Sequence, residues 1–136
     1  MSAEELLKKA ESLLSGVGQG TTRPEPNRLD VVVPASDLVA AATALRGADW
    51  GYLSTLTGVD LGKDANEIEV LYHVCERDAV TTLRVRVPRA GGTVPSLHTV
   101  HPNAMLFERE LIEMFGVTVT GLADTSHLFL PDGWPE

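Results

Sequence analysis

Two stretches, Glu67-Ile68-Glu69-Val70-Leu71-Tyr72-His73-Val74 and Thr82-Leu83-Arg84-Val85-Arg86-Val87, decide the fold class. In the first, Ile68, Val70, Tyr72 and Val74 alternate with Glu67, Glu69, Leu71 and His73; in the second, Leu83, Val85 and Val87 alternate with Thr82, Arg84 and Arg86. Successive side chains of a strand point to opposite faces, so each run predicts an antiparallel strand with one face on a core and one face wet. Glu76-Arg77-Asp78 between them is the turn of a hairpin. Upstream, Trp50 to Val59, closed by Asp60-Leu61-Gly62-Lys63-Asp64, predicts a third strand.

Working outward, Leu29 to Val33 is a short apolar strand stopped by Pro34. Ser36 is placed to cap a helix over Asp37 to Arg46, with Leu38, Val39, Ala42 and Leu45 as its buried stripe and Gly47 as its end. Nearer the N-terminus, Ser2 and Glu5 have capping-box spacing before Leu6, Leu7, Ala10, Leu13 and Leu14, so Ser2 to Ser15 reads as an amphipathic helix. Gly16 to Asn27 and Pro88 to Pro95 read as loops, the second carrying Gly91-Gly92. Strands in a row beside separate helices predict an α+β fold. The expected architecture is a single domain with a mixed, mostly antiparallel sheet of about four strands and helices packed on one face. Its expected divisions are an N-terminal helix and linker over residues 1–27, the α+β domain over 28–121, and an extended Pro-rich tail over 122–136.

A chain of 136 residues suits one domain, since domains cluster near roughly 100–150 residues. No apolar run approaches the roughly 18 residues a membrane span needs, and the acidic start Met1-Ser2-Ala3-Glu4-Glu5 lacks the character of a secretory signal. The net charge of −8 argues against nucleic-acid binding, which rests on Lys and Arg neutralising phosphates. It also argues that any membrane association runs through protein partners, because anionic headgroups repel an acidic chain. Cys75 is the one cysteine, which excludes an intrachain disulfide, a Cys-based zinc finger and an iron–sulfur site, and favours a reducing, cytosolic side.

The last predicted helix, Ser96 to Phe115, is the unusual one. At about 100° per residue, Ala104, Met105, Phe107, Leu111, Ile112, Met114 and Phe115 share one broad face. Glu108 falls inside that apolar face, and Leu106 falls opposite it beside Glu113, so both break the amphipathic rule. A carboxylate on a buried face needs a cation or several donors, and Arg84, Arg86, His98 or His101 are the cations available. Glu108 then reads as a structural hydrogen-bond anchor between helix and sheet, with a catalytic acid or metal ligand as the competing reading. Beyond it, Leu128, Phe129, Leu130 and Trp134 sit among Pro131, Asp132, Gly133 and Pro135 in an apolar segment that cannot be helical. Such a segment covers the domain's own core or anchors a partner.

Glu108-Arg109-Glu110-Leu111-Ile112-Glu113-Met114-Phe115-Gly116-Val117 resembles the signature of the 30 kDa subunit of respiratory complex I, also called the C subunit of NADH-quinone oxidoreductase, with Glu113 where Asp is usual. After Gly121 the likeness to complex I members weakens. Leu130-Pro131-Asp132-Gly133-Trp134-Pro135 looks closer to related subunits of membrane-bound, energy-converting nickel–iron hydrogenases. The resemblance implies a peripheral-arm subunit on the cytoplasmic face of the cell membrane. It would pack beside the hydrogenase-like large subunit of 49 kDa type, with iron–sulfur subunits nearby, and support electron transfer to quinone coupled to proton translocation. It implies no cofactor in this chain and no catalytic residue of its own; NADH, quinone and iron–sulfur clusters belong to the complex. Glu108, Arg109 and Glu110 would hold the helix to its sheet and to the neighbouring subunit, with Glu113, Phe115 and Gly116 completing the signature. Leu106, Phe129 and Trp134 are the expected partner contacts.

Two readings compete. His98 and His101, three apart, with Glu108 seven further on, could share a helix face as a divalent-metal set, although Pro102 stands between them. A free-standing interaction domain of the same fold is the other, set apart by a smaller exposed apolar surface. Nucleophilic chemistry has less support. The acidic neighbour Glu76 does not activate Cys75 as a nucleophile, and Gly16-Val17-Gly18-Gln19-Gly20 lacks the strand and helix that a phosphate loop requires.

Overall fold

In the computed structural model, which describes residues 1–122, the chain runs α1 (Ala3–Leu13), β1 (Gly20–Glu25), β2 (Arg28–Val32), α2 (Leu38–Gly47), β3 (Tyr52–Asp60), α3 (Gly62–Ala65), β4 (Glu67–Glu76), β5 (Ala79–Pro88), β6 (Thr93–Pro95), α4 (Ala104–Phe115) and β7 (Thr118–Thr120). Five strands form one sheet in the order β1-β2-β5-β4-β3, and β6 pairs with β7 in a second, two-stranded sheet. The β4–β5 hairpin is antiparallel from Glu67↔Pro88 to Glu76↔Ala79, with Arg77-Asp78 as its turn. β3 adds antiparallel to β4, β2 adds parallel to β5, and α2 carries the chain from β2 to β3 at the far edge of the sheet. The α+β class and the mostly antiparallel sheet are as the alternation predicted.

Register sorts the sheet into two unlike faces. Leu29 and Val31 of β2, Leu83 and Val85 of β5, Val70 and Tyr72 of β4, and Leu53 and Leu56 of β3 lie on one face, and all are buried. The helices cover this face. Leu6, Leu7 and Ala10 of α1 and Leu38, Ala41, Ala42 and Leu45 of α2 are buried against it. Each such Leu contributes about 1.5–3 kcal/mol when fully buried. Trp50, just before β3, is sunk here too, and its indole Nε1 donates to the Leu6 carbonyl at 2.9 Å, tying α1 to the start of the strand. The capping box at α1 is formed: Glu5 N donates to Ser2 Oγ at 3.2 Å, and Ser2 N donates to Glu5 Oε1 at 3.4 Å.

Several expectations give way. Gly20–Glu25 forms an edge strand instead of loop; all six of its residues are exposed, so it carries no apolar period and is held by its backbone ladder to β2. Thr93–Pro95 is a strand as well, too short to show a period. A single 3₁₀ turn, Ala35–Asp37, leads into α2, and Asp37 at the N-cap makes no side-chain capping bond, so Ser36 is not the cap. α4 begins at Ala104, eight residues later than Ser96. The residue before a proline is pushed out of helical geometry, and ahead of Pro102 the chain makes one tight turn in which Val100 N and His101 N both donate to the Leu97 carbonyl.

Candidate functional site

α4 lies across the β3 end of the covered face, and Glu108 stands at its middle with no exposed surface. Its carboxylate is met by two neutral donors. Ser96 Oγ donates to Oε1 at 2.6 Å, and Leu97 N donates to Oε2 at 2.8 Å. Both donors immediately follow β6, while β7, immediately beyond α4, pairs with β6. The chain therefore leaves β6, bonds the centre of α4, runs along the helix and returns to β6. Burial raises the Glu108 pKa; the bonds from Ser96 and Leu97, and the charge of His98, offset that rise in part. Because the single hydroxyl proton of Ser96 goes to Glu108, His98 Nδ1, 2.8 Å away, is the donor in its contact with Ser96 Oγ.

Of the four expected cations, His98 lies near Glu108 and acts on it by its charge and through Ser96, while the other three do not bond it. Arg84 and Arg86 alternate with Leu83 and Val85 along β5, so both point away from the helices. Arg84 binds Asp30 Oδ2 at 3.2 Å and also Glu69, and Arg86 Nε reaches Glu69 Oε2 at 3.3 Å. His101 is buried with Nε2 unpartnered among the described residues, and burial, then Arg46, lower its pKa. His98 and His101 precede α4, so they do not share a helix face with Glu108. Among the described residues no group of three or more His, Cys, Asp or Glu side chains is placed to hold a metal ion.

The signature residues seat the helix. The Phe115 ring lies on Gly58 of β3, where a Cβ would come within 2.7 Å of the ring, so this contact requires glycine for space. Gly116 is needed for a different reason: it closes α4 in the left-handed region at φ +68, with nothing near its missing Cβ. Arg109, Glu110 and Glu113 are half-buried. Glu110, Met114, Phe107 and Phe115 line a groove of about 180 Å³ against Thr57 and Gly58. Leu106 is exposed as read from the sequence, and Met114, assigned to the buried face, is 61% exposed. Phe129 and Trp134 lie outside the described residues. Sequence reasoning missed Ser96 and Leu97 because the contact is long-range, and it missed Gly58 because the need for glycine there comes from a ring 57 positions away.

The opposite face of the sheet carries a polar array that alternation alone reads as simply wet. Asp30 and Glu69 are 3% and 2% exposed, sunk beneath Arg28, Arg84 and Arg86. Burial pushes the Glu69 carboxyl up, but hydrogen bonds from Arg84 and Arg86 outweigh it and hold the pKa below its ordinary value. His73 sits between Thr57 Oγ1 at 3.3 Å and Thr82 Oγ1 at 3.0 Å, and Cys75 donates to Ser54 Oγ at 3.3 Å.

Fold and site together define an α+β domain whose distinctive helix is locked by its own buried carboxylate and turns apolar side chains outward. The chain belongs to the family of the respiratory-chain NADH dehydrogenase 30 Kd subunit, whose model matches residues 31–136. It is 36% identical over 110 residues to the C subunit of NADH-quinone oxidoreductase from Ruegeria pomeroyi, an alignment covering 78% of this chain and 55% of that protein. It is 29% identical over 117 residues to the C subunit of F(420)H(2) dehydrogenase from Methanosarcina mazei, covering 81% of this chain and 73% of that one. The chain thus spans about half the length of the first relative and nearly three quarters of the second. A chain in the structure of the membrane-bound sulfane sulfur reductase, an archaeal respiratory membrane complex, shares the fold at a TM-score of 0.77 and 21% identity, over 96% of this chain and 77% of that one.

Proposed function

We propose that this chain is a non-catalytic peripheral-arm subunit of a complex-I-type membrane oxidoreductase, packing against the large 49 kDa-type subunit that shapes the quinone site. Its work is assembly: it supports electron transfer to quinone, coupled to proton translocation, without carrying a redox centre. The observation that carries this reading is the Glu108 clasp. The most unusual side chain of the signature is satisfied inside the domain by Ser96 and Leu97, so it sets the position of α4 and leaves Leu106 and Met114 facing outward. Exposed apolar side chains on a rigid helix suit a packed subunit interface. Cys75, the one cysteine, cannot supply a four-thiolate cluster, which supports placing every cofactor in neighbouring subunits.

We place the chain on the cytoplasmic face, held to the membrane by its partners. No described helix is long and apolar enough to cross a membrane. A second reading keeps the role and changes the parent complex to an energy-converting nickel–iron hydrogenase, favoured by the ending Leu130-Pro131-Asp132-Gly133-Trp134-Pro135. The test is affinity purification of the tagged chain from gently solubilised native membranes, with mass spectrometry of what comes with it. Recovery with a hydrogenase-like large subunit and iron–sulfur subunits is expected, and the electron-input subunits present will separate the two parent complexes. A chain recovered alone would overturn the role.

A further inference from the structure

The face of the five-stranded sheet turned away from the helices has properties that ordinary solvation does not require. Of the six large hydrophobic residues exposed in the described structure, three project from it: Val32 from β2, and Tyr52 and Val59 from opposite ends of β3, at 37%, 60% and 41% exposure. No lysine occurs in any of the five strands. Lysine is the residue that commonly keeps an exposed strand from pairing or packing, and it is depleted from protein interfaces, whereas Arg and Tyr are enriched there.

The basic side chains on this face are Arg28, Arg84 and Arg86, and they are held from below. Arg84 is clamped between Asp30 and Glu69, Arg28 Nε stands 3.3 Å from Asp30 Oδ1, and Arg86 engages Glu69 through Nε. The two carboxylates are almost wholly sunk, while the arginine side chains are 32%, 32% and 54% exposed. Over the middle of the face the outer charge is therefore positive, on a chain whose net charge is −8, with Glu25 and Glu67 at the ends of the same face. An arginine pre-set by buried carboxylates gives up little conformational freedom when it meets a further acceptor, and its planar fork matches a carboxylate.

We propose that this open face is a second docking surface, separate from the outer side of α4, and that it receives an acidic segment of a neighbouring protein subunit. Carboxylates of the partner lie over Arg28, Arg84 and Arg86, and its apolar side chains pack on Val32, Tyr52 and Val59. This rests on the reading of the chain as a subunit.

The full-length tagged chain, purified from native membranes, tests both. Arg86→Glu should lower recovery of partner subunits by about tenfold relative to Lys63→Glu, which makes the same charge change on α3, outside the sheet strands. Arg86→Glu also sets a carboxylate beside the buried Glu69, so its thermal midpoint should fall below that of the wild-type chain, and recovery is compared at a temperature where both variants stay folded. A photo-activated diazirine residue at Val59 provides a reading that alters no charge. It should cross-link to a co-purifying subunit, within a peptide containing Asp or Glu. Equal recovery of Arg86→Glu and Lys63→Glu would overturn the docking surface. So would a Val59 cross-link to a second copy of this chain, to a peptide without carboxylates, or to nothing in an intact complex. If the wild-type chain itself comes out alone, the subunit role fails instead.

Discussion

Glu108 and Glu69 are both buried carboxylates in one small domain, and they are stabilised in opposite ways. Glu108 lies on the helix-covered side of the sheet, where its donors are a hydroxyl and a backbone N–H, and its pKa is raised. Glu69 lies on the open side under two guanidiniums, and its pKa is lowered. Burial disfavours the charged form at both places; hydrogen bonds from two guanidiniums outweigh it at Glu69, whereas the two neutral donors and His98 do not at Glu108. The difference separates the two jobs of the domain. The Glu108 clasp fixes a helix against its own fold, while the Glu69 array holds arginines ready at a surface.

The largest effect should come from truncating the clasp. Glu108→Ala strands the Leu97 N–H and Ser96 hydroxyl in the interior and opens a cavity, for a loss of about 3 kcal/mol in denaturant unfolding. Glu69→Ala should cost about 1 kcal/mol, because the arginines it leaves can hydrate. Equal losses would erase the contrast. The next pair uses neighbours on opposite faces. Gly58→Ala drives a Cβ into the Phe115 ring and should cost about 2 kcal/mol, whereas Thr57→Ala, on the open face, should stay within about 0.5 kcal/mol.

Ser96→Ala removes one of two donors and should cost about 1 kcal/mol. It should also raise the Glu108 pKa further, read by carboxyl NMR titration; an unmoved resonance would refute the bond as a determinant of that pKa. The smallest effect concerns pH, and its sign differs between the two sites. Glu108 is raised from 4.5 in the folded state, so the native protein holds the extra proton. The stability of wild type minus Glu108→Gln should therefore fall as pH climbs from about 4.5 through the folded value. Glu69 is lowered, so wild type minus Glu69→Gln should be at its full value above about 4.5 and shrink as pH drops through the folded value. Parallel curves for the two variants would contradict the opposite shifts.

Much of this was legible in one dimension, and the misses have physical causes. The hairpin, both N-terminal helices, the burial of Glu108 and the exposure of Leu106 all follow from local periodicity. β1 escaped because a strand wet on both faces leaves no apolar period. The separation of Arg84 and Arg86 from Glu108 was within reach of the sequence: the alternation that buries Leu83 and Val85 already sends the arginines to the other face. Met114 was misplaced because a helix packed on the rim of a sheet buries a narrower stripe than its apolar half.

The sequence by itself determined the α+β class, the alternating faces of the central hairpin and the family, because each rests on residues adjacent in the chain or spaced by a fixed period. Only the tertiary structure decided which groups answer Glu108, why position 58 must be glycine and which face of the sheet stays open. Those depend on segments well apart in the chain meeting at hydrogen-bond and van der Waals distances. A local period does not encode that convergence; it arises when the sheet register and the seat of α4 are set together.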